Sequence, residues 1–146
     1  MLDLVLAIGH HLTIFALFGV LAAELVLVRR GMNAAAVARV AGIDLWYGIL
    51  AAVIIAVGFS RAVFAAKGWF YYSHNGFFWA KLATFGVIGL ISILPTFAFI
   101  SWRRAAISPS DAQVAGVRRY LWIEAALFAL LPAFAAAMAR GYGEWR

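Results

Sequence analysis

The chain has 146 residues, 66% hydrophobic, 16% aromatic and only 12% charged, with a formal net charge of +6. That mix lies far from the composition of a water-soluble domain and points to a membrane protein. The absence of cysteine excludes disulfides, thiolate metal sites, iron–sulfur clusters and cysteine nucleophiles, so a metal or haem would need His, Met, Tyr or carboxylate ligands. The basic residues sit at the ends of apolar stretches and form no patch on a soluble fold, which argues against nucleic acid as a partner.

Four stretches reach the roughly 20 apolar residues that a helix needs to cross a bilayer. They cover about residues 4–28, 45–66, 77–102 and 120–139. The expected fold is all-α, an integral membrane four-helix bundle occupying residues 1–146 as a single four-span domain. The first stretch follows Asp3, where a signal peptide would be basic, and it is too long for a signal core, so it reads as a retained span. It ends at Arg29-Arg30-Gly31, a cationic terminus with a glycine stop. Asn33 then caps a short interfacial stretch, AAAVARVAG, and Asp44 opens the second span.

The loop KGWFYYSHNGFF is dense in aromatics, which favour the headgroup region. The third span contains Pro95, which predicts a kink. The fourth contains Pro132 near its middle. Between them, SPSDAQVAG places Pro109 and Asp111 to open a short helix leading into Arg118 and Arg119. Gly19, Ala22, Ala23, Gly86 and Gly89 allow close approach of the spans.

Charge asymmetry sets the topology. Arg29, Arg30 and Arg39 separate spans one and two, and Arg103, Arg104, Arg118 and Arg119 separate spans three and four. The opposite side has mainly Lys67, Arg140 and Arg146. By the positive-inside rule the protein is N-out/C-out, with its arginine loops at the cytoplasmic face, where they attract anionic lipid.

Within the spans the polar residues fall into two layers. His10, His11, Arg61, Lys81, Met138 and Arg140 occupy the outer third, and Glu24, Asp44 and Glu124 the inner ends. His10 and Glu24 share a helix face to within about 40°. They are nevertheless about 21 Å apart along the axis at 1.5 Å per residue, too far to ligate one ion. His11 points about 100° away from His10, toward Phe15 and Phe18, so phase favours His10 for the bundle centre. Ion pairs of Glu24 with Arg29 or Arg30, and of Glu124 with Arg119 or an arginine of another helix, are expected at the inner boundary, with a proton route as the alternative.

In the outer layer, an imidazole among cations, with no acid inside a span beside them, suits an anion. A tetrapyrrole such as haem b meets that description. His10 is the candidate iron ligand, and Arg61, Lys81 or Arg140 can pair with the propionates. His74, Met138, or His11 of another protomer can supply the second axial position, or it stays open. A bare zinc or copper ion would find too few ligands. A histidine bonded to a neighbouring backbone carbonyl or hydroxyl is the structural alternative.

Three segments carry a family resemblance. GHHLTIFALFGVLAAELVLVRR is similar to the N-terminal Leu-His-Ile motif, followed by a helix ending in basic residues, of the HemJ-type protoporphyrinogen oxidases. FFWAKLATF resembles their Trp-x-x-Ala-Lys-Leu-like motif, and RRYLWIEAAL loosely resembles their Arg-x-x-Asn-Glu-type motif. Trp79 stands where that family usually has histidine, and Ile123 replaces its asparagine. The chain thus resembles a four-span branch, a domain of unknown function, of the superfamily that includes HemJ and the CopD copper-resistance proteins. The resemblance implies His10 or His11 as haem ligand, Lys81 as functional cation, Glu124 as supporting carboxylate, and a bacterial inner-membrane location. The functional expectation is a haem protein with a redox or electron-transfer role. The alternatives are a HemJ-like oxidase and a non-catalytic subunit of a homo-oligomer or larger membrane complex.

Overall fold

A computed structural model describes residues 1–64 and 68–145. The helices are α1 (Leu2–Leu27), α2 (Ala34–Phe64), α3 (Gly68–Ser73), α4 (Gly76–Ala105), α5 (Asp111–Phe128) and α6 (Leu130–Ala139). Four segments are long and apolar enough to cross a membrane: α1, α2, α4, and α5 with α6 taken together. The all-α membrane bundle expected from composition is the architecture found. Lys67 and Arg146, which entered the topology argument, and the end of the expected second span, lie outside the described residues.

Two boundaries differ from the sequence reading. Asn33 does cap a helix, its Oδ1 accepting from the Ala36 amide at 2.9 Å, but that helix continues through Asp44 to Phe64. Nothing between Ala34 and Asp44 stops it: the segment is rich in alanine, and Val37, Val40, Ala41, Asp44 and Tyr47 form one buried stripe at helical spacing. Asp44 is therefore an interior residue, not a helix start. Likewise α5 begins at a capping box between Ser110 and Gln113 and runs unbroken past Arg118 and Arg119 into the bilayer segment. The fourth span breaks instead at Ala129, three residues before Pro132, whose missing N–H and bulky ring disturb the turn that precedes it. Pro95 is accommodated within a continuous α4.

The spans form a ring with one gap. α1 packs on α2 and α5, α2 on α4, and α4 on both α5 and α6, but α1 does not meet α6. Leu17, Leu21, Ile54, Ile88, Leu121 and Phe128 fill the middle. At the arginine-rich end, Arg118 Nη1 donates to the carbonyls of Leu25, at 2.7 Å, and Val28. The carbonyls at a helix end lack intrahelical donors, so this arginine both caps α1 and ties it to α5.

At the aromatic end the segment after α6 straps the α3–α4 connection. Asn75 is fully buried; its Oδ1 accepts from the Phe77 amide at 2.9 Å and its Nδ2 donates to the Tyr142 carbonyl at 3.0 Å. Gly76 N–H donates to Gly143 O at 2.8 Å, and Trp145 N–H to His74 O at 2.9 Å. Gly143 has φ +77°, and a Cβ there would lie 2.7 Å from the Phe77 ring, so the strap requires glycine.

Arg118→Ala orphans two carbonyls bonded to a charged donor, a loss of about 1.5–3 kcal/mol each. A clear fall in the thermal midpoint of the purified protein is expected, whereas Arg119→Ala, at an exposed site, should leave the midpoint nearly unchanged. Since the chain has no cysteine, single thiols test the topology. An impermeant maleimide applied to cells should label Ser73→Cys, while Ser108→Cys should react only after permeabilisation. The opposite pattern would reverse the assigned orientation.

Candidate functional site

Where α1 and α6 fail to meet, the bundle encloses a cavity of about 640 Å³ toward its aromatic end. Its walls are largely apolar, with Phe15, Phe18, Phe85 and Phe128 among them. Four spans contribute its functional groups: His10 and His11 from α1, Arg61 from α2, Lys81 from α4 and Met138 from α6. This volume lies within the roughly 300–1,000 Å³ of pockets that enclose cofactor-sized molecules.

His10 packs over Gly58, where a Cβ would come 3.6 Å from its ring, so the glycine makes room for the imidazole. Its Nδ1 is buried without a hydrogen-bond partner. His11 takes the role considered for a structural histidine: its Nδ1 lies 2.7 Å from the Ala7 carbonyl. The carbonyl can only accept, so Nδ1 donates to it. The two rings meet edge to face, 6.0 Å between centroids. Helical phase separates the histidines less than the sequence reading supposed, since both line the cavity, His10 half-buried and His11 exposed.

Lys81, Arg61 and His11 lie within electrostatic range of His10, and among the described residues no acid acts on it. The Nε of Arg61 is buried without a partner. Lys81 Nζ stands 6.0 Å from the Phe78 ring centroid, an apolar cushion with a weakly attractive face. Tyr71 Oη donates to the Met138 carbonyl at 2.9 Å and so fixes α6 beside α3.

Two sequence candidates fall elsewhere. His74 is exposed, bonded through Nδ1 to the Phe70 carbonyl at 2.9 Å and stacked on the Phe70 ring; it does not line the cavity. Arg140 is exposed and also outside it.

The inner carboxylates form a second layer, arranged differently from expectation. Glu24, Asp44 and Glu124 are 2%, 7% and 1% exposed. Among the described residues neither glutamate pairs with an arginine. Arg29, Arg30 and Arg119 lie on the exposed surface, whereas both glutamates turn inward, and Arg118 is engaged by backbone carbonyls. Glu24 lies within electrostatic range of Asp44 and Glu124, and Glu124 within range of Asp44. Tyr47 Oη donates to Glu124 Oε2 at 3.2 Å and Thr96 Oγ1 to Asp44 Oδ1 at 2.9 Å. Sequence reading missed Tyr47 and Thr96 as partners. The spacing of Asp44 and Tyr47 on one helix face carried half of that signal; the partner across the bundle did not follow from it.

A family model described as a predicted membrane protein (DUF2214) matches residues 2–143. The chain belongs to that family. No curated protein and no solved structure matches it. The family description agrees with the four spans and assigns no chemistry, so the reading of the cavity rests on its residues.

Lys81 is half-buried beside another cation and without a carboxylate, an arrangement that costs stability. Lys81→Met should therefore stabilise the ligand-free protein by about 0.5–2 kcal/mol, as substitutions that relieve strained functional sites do. A raised thermal midpoint would show this, with Arg140→Met, at an exposed site, as the unchanged control.

Proposed function

We propose that the outer cavity binds a b-type haem or a related tetrapyrrole and that the protein serves a redox or electron-transfer role in the membrane. The observation that carries this reading is the convergence of His10, His11, Arg61, Lys81 and Met138 on one apolar, aromatic-walled cavity without an acid among the charges at His10. A bare metal ion accounts for little of this, since no group of three or more His, Asp or Glu suited to a metal is found among the described residues. An apolar, anionic macrocycle with a ligatable metal uses every feature. His10 and Arg61 both line the cavity, and each keeps one buried nitrogen, Nδ1 and Nε, without a hydrogen-bond partner. The motif likeness to HemJ-type proteins supports the same reading.

In this reading His10 would hold the iron, and Met138 lines the same cavity as a further candidate ligand. Arg61 and Lys81 bind the acidic arms by charge-assisted hydrogen bonds. The phenylalanine wall excludes water, and the gap between α1 and α6 admits an apolar guest from the bilayer. Bound haem supplies one-electron chemistry, and the enclosing side chains tune its potential. The arginine-rich end faces the cytoplasm of a bacterial inner membrane.

A HemJ-like oxidation of protoporphyrinogen is the enzyme reading, favoured by the same cations as anchors for substrate carboxylates. The position where that family has histidine is Trp79, whose Nε1 donates to the Ser73 carbonyl at 3.0 Å outside the cavity. No imidazole comes from α4, so the binding role is preferred.

Titrating the purified protein with haem should produce a Soret band saturating at one haem per chain. The band should weaken strongly in His10→Ala and persist in His11→Ala. The double variant Arg61→Met, Lys81→Met should bind at least about tenfold more weakly, the equivalent of one charged hydrogen bond. A wild-type protein that binds no haem stoichiometrically would overturn the proposal. Rescue of an oxidase-deficient strain would favour the enzyme reading.

A further inference from the structure

The inner layer has a donor shortage that no neighbouring side chain relieves. Glu24 of α1, Asp44 of α2 and Glu124 of α5 bring three carboxyl groups into mutual electrostatic range. Among the described residues only Tyr47 and Thr96 donate to them, one hydrogen bond each. Oε1 of Glu24 and Oε1 of Glu124 are buried and unpartnered, in residues 2% and 1% exposed.

The groups facing this layer can be named helix by helix. α1 offers Glu24, α2 Asp44 and Tyr47, α4 Thr96 and α5 Glu124; Arg118, also on α5, is committed to the carbonyls of Leu25 and Val28. None of the charges acting on either glutamate is a cation. Three carboxylates at this depth, with no counter-charge, would be prohibitively costly. A cation cage is not available either, because no group of three or more suited to a metal ion is found among the described residues.

A proton resolves both problems. Each one taken up forms one O–H bond, removes one negative charge, and converts an orphaned acceptor into a donor that a neighbouring carboxyl can accept. No electron moves and no co-reactant is required.

We infer that the Glu24–Asp44–Glu124 layer is a proton-binding site, holding exchangeable protons among its carboxyls while Tyr47 and Thr96 fix the accepting oxygens. The packed apolar residues Leu17, Leu21, Ile54 and Phe128 fill the bundle core on its cavity side. This site is independent of what the outer cavity binds.

Infrared spectroscopy of the full chain in lipid vesicles tests it. At neutral pH the wild type should show the C=O stretch of protonated carboxylic acid, shifting to lower frequency on transfer to D₂O. The band should lose intensity in Glu24→Gln and in Glu124→Gln. Tyr47→Phe, which removes a hydrogen bond and no titrating carboxyl, should shift the band without abolishing it. Absence of an exchangeable band in the wild type overturns the assignment, and needs no variant to fold. A band that is unchanged in both glutamine variants overturns it equally, as does a layer found ionised and stabilised by added sodium or potassium. A failed haem titration leaves each of these outcomes unaffected.

Discussion

The broken fourth span is the feature on which the rest of the site depends. Proline lacks the N–H that would continue the helical ladder, and Pro132 divides this span into α5 and α6 at Ala129. The half before the break packs on α1; the half after it packs on α4 and leaves α1 alone. Ala129 keeps right-handed helical angles across the join, so the disturbance is local, and Pro132 lines the cavity that lies beside it. Small residues finish the work: Gly58 admits the His10 ring, and Ala125, Ala129, Ala135 and Ala139 line the α5–α6 side without filling the space.

Sign segregation is the second constraint. A bilayer protein with few charges would be expected to pair those it buries, because each unpaired one is costly in a low-dielectric interior. Here the opposite arrangement holds. His10, Arg61 and Lys81 gather at one depth and Glu24, Asp44 and Glu124 at another, with apolar packing between. Neither set neutralises the other. Each layer is incomplete alone, and they are incomplete with opposite sign.

How much of this was legible depended on whether the determinant was local. Span number follows from apolar length, and the depth of His10 relative to Glu24 follows from helical rise, because both are properties of one segment. The Asn33 cap and the helix-opening position of Asp111 were legible for the same reason. Contacts across the bundle were not. That Arg118 caps α1 depends on where α5 meets the carbonyls of Leu25 and Val28. That Tyr47 reaches Glu124 depends on the rotation of two helices distant in sequence. Charge proximity along the chain suggested ion pairs for Glu24 and Glu124, but side chains near a helix end can turn to the surface or the interior. The arginines turned outward and the glutamates inward. Asp44 misled in a related way, since aspartate is a common helix opener and nothing local announced that this one is buried within a longer helix.

The arrangement also gives α1 a special position. It carries His10 and His11 near one end and Glu24 near the other, so it is a member of both polar layers. Its two ends are held unequally. The inner end is locked by Arg118 and by fully buried Leu17, Leu21 and Val28, whereas the first dozen residues are mostly exposed, and of them His10 and His11 line the cavity. A guest in the cavity would therefore contact the least constrained stretch of the helix, while protons on Glu24 sit at its anchored end. Helix α1 therefore has to keep His10 and Glu24 on one inward face along its whole length, although the two layers are filled separately.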